Sequence, residues 1–257
     1  MEKSFKAQPS EKSAASNGME SWSLEGPHAR LKELGFVFEV MKEFIKGFRT
    51  LHFVGPCVTV FGSARFKEDH QYYMLARQMG SALANLGFTV MTGGGPGIME
   101  AANRGAKDAG GASVGCNIKL QMEQEPNPYL DRWITLDHFF VRKFLLLKYS
   151  YSFVVMPGGF GTMDELFETI TLIQTKKLEN FPVILMGKSY WQTMMTFIEQ
   201  MLTISTISSE DLKLLLVTDD VEEAIAHINK FASGNVSLKK TLKIKPIPVL
   251  GESKVLE

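Results

Sequence analysis

The chain has 257 residues, with 28 Lys+Arg balanced by 28 Asp+Glu, five His, two Cys and 45% hydrophobic residues. A chain of this size removes about three quarters of its extended surface from water on folding, so it needs neither disulfides nor a structural metal. The balanced charge gives no general pull toward nucleic acid or an anionic membrane, and no apolar run is long enough to span a bilayer. Cys57 and Cys116 lack paired metal or redox spacing, which fits a reducing compartment, and the opening MEKSFKAQPSEKSAASNGMES has no apolar stretch of an export signal. These features favour a cytoplasmic enzyme with a small partner.

Residues 1–24 have almost nothing to bury and read as a disordered leader. Residues 25–235 read as one domain. In its opening stretch Leu31, Leu34, Phe38, Met41, Ile45 and Phe48 return at alternating intervals of three and four, the pattern of an amphipathic helix that covers a sheet face or makes a subunit contact. Then short apolar runs alternate with helical periodicity. CVTVFG (57–62) is the first strand and 72–87 its helix, stopped by Gly87. FTVMTGGG (88–95) ends in a glycine turn before a helix over 96–110. ASVGCNI (112–118), a short strand at Arg132–Leu136 and a helix across His138–Tyr149 follow. SFVVMPGG (152–159), a helix over 162–177, FPVILMG (181–187), a helix near 190–204, KLLLVTDD (213–220) and a helix over 221–230 complete the series. Apolar strands separated by helices predict a Rossmann-like, doubly wound, mainly parallel α/β sheet with helices on both faces, plus the N-terminal helical extension. Residues 236–257 form an arm or an extra edge strand.

In such a sheet a ligand lies beyond the C-terminal strand ends, where strand order reverses. Three loops there are unusual: FGSAR (61–65), TGGGPG (92–97) and PGGFGT (157–162). Glycine admits close approach and positive φ, and the N–H groups opening the next helix bind anions, so the loops point to a phosphorylated or nucleotide ligand as well as to simple tight turns. Dinucleotide and P-loop signatures are absent: Gly93, Gly95 and Ile98 give a failed G-x-G-x-x-G, and no G-x-x-x-x-G-K-[ST] occurs. Ser113 matches a hydrolase elbow in letters only, since it falls inside a strand. None of His28, His52, His70, His138 and His227 forms an HExxH pair, and no metal or cofactor site is expected; His138 alone lies close to a probable strand end.

Charged residues share that rim. Thr162 opens a helix carrying Asp164, Glu165 and Glu168, of which Glu165 and Glu168 share a face. First-turn acids complement the helix dipole, but a cap does not also require the preceding PGG-x-G loop. Arg142 and Lys143 open another helix, where the dipole disfavours cations, so a ligand phosphate or the Glu165 carboxylate accounts for them as well as a solvated basic pair does. Glu100, Asn103 and Arg104 form a further polar face beside Met99.

GGGPGIMEAANRGA (93–106), VRK (141–143) and PGGFGTMDELFE (157–168) together resemble the LOG or Lonely Guy family, also called lysine-decarboxylase-like, over about 55–230. The resemblance implies a homo-oligomer, dimer or higher, that hydrolyses the N-glycosidic bond of a purine nucleoside 5′-monophosphate, AMP or a cytokinin ribotide, without cofactor. It implies Arg142 and Glu165 as catalytic residues. It also implies substrate and phosphate contacts at Gly93, Gly94, Gly95, Gly97, Met99, Glu100, Arg142, Lys143, Gly158, Gly159, Gly161, Thr162 and Glu168. The chain's length and the GGGPGIMEAAN form resemble the larger bacterial branch. The rival readings are a non-catalytic purine-nucleotide sensor and a Rossmann-type nucleotide-dependent transferase or oxidoreductase.

Overall fold

The computed structural model describes residues 23–120, 125–235, 246–247 and 252–254. The seven apolar runs become strands: β1 (Cys57–Phe61), β2 (Thr89–Thr92), β3 (Ser113–Ile118), β4 (Arg132–Leu136), β5 (Ser150–Val155), β6 (Val183–Met186) and β7 (Leu215–Thr218). The connecting helices are α1 (Arg30–Leu51), α2 (Gln71–Asn85), α3 (Ile98–Asp108), α4 (Phe139–Tyr149), α5 (Phe160–Gln174), α6 (Lys188–Thr203) and α7 (Val221–Asn235), with a 3₁₀ turn at Ser209–Leu212.

All six pairings are parallel, in the order β4-β3-β2-β1-β5-β6-β7. Order therefore reverses at β1, and the expectation of a doubly wound sheet holds. Alternate side chains feed two cores. Cys57, Phe61, Phe153 and Val155 join Leu145, Leu166 and Trp191 from α4, α5 and α6. Val58, Val60 and Val154 join Met79, Ile98 and Ile228 from α2, α3 and α7 on the other face. Burial on both faces is why the central strands read as unbroken apolar runs rather than alternating ones. Helices α2 and α3 meet almost backbone to backbone: a Cβ on Gly80 would lie 2.1 Å from the Ala102 carbonyl oxygen, and one on Gly105 1.9 Å from that of Arg77.

Helix α1 packs on the domain, but through a face other than the predicted stripe. Val40, Phe44, Gly47 and Leu51 meet the core, whereas all six residues of the predicted stripe are exposed. The stripe repeats every 3.5 residues, a coiled-coil seam, while the surface that meets the domain lies on the next face round.

The leader expected at 1–24 lies almost wholly outside the described residues, as does most of the arm at 236–257. Of the latter, Ser253 and Lys254 accept hydrogen bonds from Arg132 on the edge strand β4, at 2.6 to 3.1 Å. Among the described residues no helix is long and apolar enough to cross a membrane.

Candidate active site

Reversal of strand order at β1 places the loops after β1, β2 and β5 side by side, and backbone hydrogen bonds join them. Ser63 N–H donates to the Pro157 carbonyl at 3.0 Å, and Ile98 N–H donates to that of Ser63 at 3.0 Å. Gly97, at φ +68°, leaves no room for a side chain: a Cβ there would lie 2.5 Å from the Ser63 carbonyl oxygen. The three glycine loops singled out in the sequence thus form one wall.

A buried amide network holds the second loop. Thr92 Oγ1 donates to Asn103 Oδ1 at 2.6 Å, and Asn103 Nδ2 donates to Ser113 Oγ at 2.8 Å. Asn127 Nδ2 bonds both Asn103 Oδ1 and the Gly95 carbonyl, while its backbone N–H reaches the Gly94 carbonyl. Ser113 is fully buried in this network, as its place inside a strand foretold.

The PGGFGT loop works differently from the expectation of positive φ. That conformation occurs at Gly94 and Gly97, whereas Gly158, Gly159 and Gly161 do without it. Gly158 is small because Thr162 folds back over it, its Oγ1 lying 2.1 Å from where a Cβ would sit. Tyr190 on α6 donates its hydroxyl hydrogen to the Gly158 carbonyl and fixes the loop from behind. At Gly159 and Gly161 a Cβ would meet open space. The first amides engaged inside α5 are those of Thr162 and Met163, both donating to Gly159 O. The N–H groups of Phe160 and Gly161 precede them and open the helix toward that space, an arrangement suited to an anion.

Opposite lies the charged group. Glu165, in the second turn of α5, is 4% exposed, and its Oε2 has no hydrogen-bond partner among the described residues. Burial pushes its pKa up to about 7, against the pull of Arg142 and Lys143 and with the push of Glu168 and Asp164. Arg142 rises from the first turns of α4, donates Nε–H to the Cys116 carbonyl at 2.9 Å, and lies over Gly93: a Cβ there would be 2.5 Å from Nη2 and 2.7 Å from Met99 Sδ. Burial pushes the Cys116 thiol up to about 12, so Cys116 contributes its carbonyl rather than a thiolate.

The sequence leaves Lys143 open to a phosphate, to Glu165 or to solvent; in the structure it spans Asp164 and Glu168, at 3.0 and 2.6 Å. Burial disfavours its charge, but the hydrogen bonds to these two carboxylates outweigh that and hold its pKa above the ordinary value. Glu100 turns to the Tyr73 hydroxyl at 2.8 Å, and Arg104 pairs with Glu68 at 2.7 Å beside the Tyr129 ring. Of the polar face on α3, only Asn103 therefore reaches the glycine loop. His138 is buried, with Nδ1 against Glu43 and its ring against Phe36 and Phe140.

Sequence reasoning missed Asn127, Tyr190, Glu43 and the Cys116 carbonyl. Asn127 lay in a loop with no periodic signal, Tyr190 in an ordinary amphipathic helix, and a backbone carbonyl carries no signature at all. Among the described residues no group of three or more His, Cys, Asp or Glu side chains could hold a metal ion.

The sequence profile described as "Possible lysine decarboxylase" matches residues 99–228, spanning α3 to α7. A protein of Mycobacterium tuberculosis named cytokinin riboside 5′-monophosphate phosphoribohydrolase is 30% identical over 156 residues, covering 59% of this chain and 82% of the relative. A protein of the same name from Rhodococcoides fascians is 29% identical over 175 residues, covering 66% and 88%. Among solved structures, the molybdenum cofactor binding protein of Rippkaea orientalis superposes with a TM-score of 0.54 at 22% identity, over 69% of this chain and 98% of that one, a likeness of fold. With the profile running through both charged helices and the PGG-x-G-T loop, the chain belongs to the LOG, or lysine-decarboxylase-like, family.

Proposed function

We propose that this protein is a nucleoside 5′-monophosphate phosphoribohydrolase, releasing a free purine and ribose 5-phosphate from AMP or a cytokinin riboside 5′-monophosphate. The observation that carries the reading is Glu165: a buried carboxyl with an unpartnered oxygen, beside Arg142 and one turn inside the helix end that suits a phosphate. The names of the relatives from Mycobacterium tuberculosis and Rhodococcoides fascians support the same reaction. The GGGPGIMEAAN form of the second loop supports membership of the larger bacterial branch.

In this reading the 5′-phosphate rests on the N–H groups of Phe160 and Gly161 and within reach of Arg142. Glu165 then faces C1′ of the ribose. As the C1′–N9 bond breaks, its electron pair leaves with the purine, and positive charge builds at C1′, where the ionised carboxylate stabilises it. Water bonds to C1′ and passes a proton to Glu165, which balances the proton the departing base takes up. Lys143, bound to Asp164 and Glu168, holds the flanking acids in place rather than the substrate. The Gly93–Gly97 loop and Met99 line the ribose and base side. We place the enzyme in the cytoplasm, working as a homo-oligomer and without cofactor.

The test is a time course of the purified chain with AMP and with isopentenyladenosine monophosphate, separating free base from nucleotide by chromatography. Base release that is lost in Glu165→Gln is the expected result. AMP bound but left intact over hours would overturn the reading in favour of a nucleotide-binding protein.

A further inference from the structure

Two consecutive carbonyls of the PGGFGT loop are turned onto fixed partners. The Pro157 carbonyl accepts the Ser63 N–H at 3.0 Å, and the Gly158 carbonyl accepts the hydroxyl hydrogen of Tyr190. A trans peptide is planar and carries its C=O and N–H in opposite directions, and none of the described peptides is cis. Whatever holds the Gly158 oxygen therefore aims the Gly159 N–H the other way, off the side of the loop that faces away from Tyr190. Among the described residues no acceptor engages that N–H, and the space around Gly159 is open. With the N–H groups of Phe160 and Gly161 it makes three successive donors at the mouth of α5, a concavity for an anion.

Tyr190 is seated for this task. It lies in the first turn of α6, and Asp219 Oδ1, from the loop after β7, accepts the N–H groups of Gly187 and Lys188 that open this helix, at 3.0 and 2.8 Å. The next residue, Trp191, is fully buried and donates its ring N–H to the Met186 carbonyl at 2.8 Å, with the Tyr190 ring edge-on to it at 4.9 Å. Gly187, at φ +98°, brings the helix start against the loop: a Cβ there would lie 2.9 Å from Pro157 Cγ. The hydroxyl thus reaches Gly158 from a support that is fixed at both ends of its turn. Tyr190 itself is 40% exposed, so a phenylalanine would serve the packing as well, and what tyrosine adds is the donor.

We propose that Tyr190 is a positioning residue for the substrate phosphate, fixing the Gly158–Gly159 peptide so that the Gly159 N–H joins those of Phe160 and Gly161 on the anion. This role rests on the phosphate reading of the loop and gives that phosphate a third amide. Tyr190 touches no part of the substrate and acts through one carbonyl. Without its hydroxyl the Gly158 oxygen turns to water for a partner, the peptide loses its set orientation, and the amide no longer waits in place for the phosphate.

The experiment compares Tyr190→Phe with the parent in calorimetric titration with ribose 5-phosphate, in melting curves and in steady-state hydrolysis of AMP. Ribose 5-phosphate reports the grip on the phosphate whether or not the chain turns over. In the variant its Kd and the KM for AMP should both rise about fivefold or more, while kcat stays within about twofold of the parent. The melting temperature should hardly move, since the lost hydroxyl belongs to an exposed ring. Ser189→Ala, which removes the neighbouring hydroxyl that lies 3.2 Å from that of Tyr72, should match the parent in all three measurements. A Kd for ribose 5-phosphate unchanged by Tyr190→Phe would overturn the proposal, as would a fall in kcat at constant KM or an equal loss of binding in Ser189→Ala. Binding of ribose 5-phosphate that depends on Tyr190, in a chain that leaves AMP intact, would count against the reaction and not against this role. A parent chain that binds no ribose 5-phosphate would overturn both.

Discussion

Glu43 Oε2 of α1 lies 2.8 Å from His138 Nδ1, and Glu43 Oε1 accepts the Asp137 N–H at 2.5 Å, so one carboxylate from the N-terminal helix grips the start of the helix that carries Arg142. Lys46 adds a hydrogen bond to the Thr135 carbonyl at 3.0 Å. Glu43→Ala strips partners from a backbone N–H and from a buried ring, at a cost on the order of 2 kcal/mol. We expect lower stability in chemical denaturation together with a reduced kcat/KM, since α4 loses its brace. Glu43→Gln, which keeps one acceptor, should recover part of both.

Glu165 ties function to a stability cost. Between its ordinary value of 4.5 and about 7, the folded chain holds a proton on this carboxyl that the unfolded chain releases. Stability from this group therefore falls as pH rises through that window and stays lost above it. Glu165→Gln should melt higher than the parent at pH 8, by about 2–4 °C for each kcal/mol relieved, and level with it at pH 4. The same variant should lose most turnover, while turnover of the parent should decline as pH drops below about 7 and Glu165 gains its proton.

Gly93→Ala separates site from scaffold. The new methyl would lie 2.5 Å from Arg142 Nη2 and 2.7 Å from Met99 Sδ, both ends of flexible side chains that can move aside. The fold should survive with a change of about 1 kcal/mol or less, whereas the displaced guanidinium should raise KM for AMP at least tenfold. Melting curves and steady-state kinetics on one preparation test both halves. Arg142→Ala should weaken both binding and rate.

Two neighbours on α3 should differ sharply. Asn103→Ala leaves Thr92, Ser113 and Asn127 short of buried partners and should cost on the order of 2–4 kcal/mol. Arg104→Ala removes an exposed pair with Glu68 and a ring contact, for at most about 1 kcal/mol. Equal effects in urea titrations would contradict the network described above.

The strands were legible because burial on both faces writes them as apolar runs, and the three glycine loops because each serves a close approach or a helix entry. Arg142 and Glu165 stood out through local oddities: a cation at a helix start and an acid behind PGG-x-G. What stayed hidden depends on distant pairings. Nothing near Lys143 announces that it spans Asp164 and Glu168, and nothing near Glu100 points to Tyr73. The periodicity of α1 was plain in sequence, but not which of its faces met the domain. Two adjacent apolar stripes gave one signal.

β1 lies mid-sheet, yet its neighbour β5 begins only at Ser150, and the Tyr190 that anchors the Gly158 loop comes later still. During synthesis the chain therefore presents β4-β3-β2-β1 as a half-built sheet whose open edge, CVTVF, carries no charge to repel a stranger. Until the ribosome has delivered β5, this edge is open to pairing with a strand of another chain.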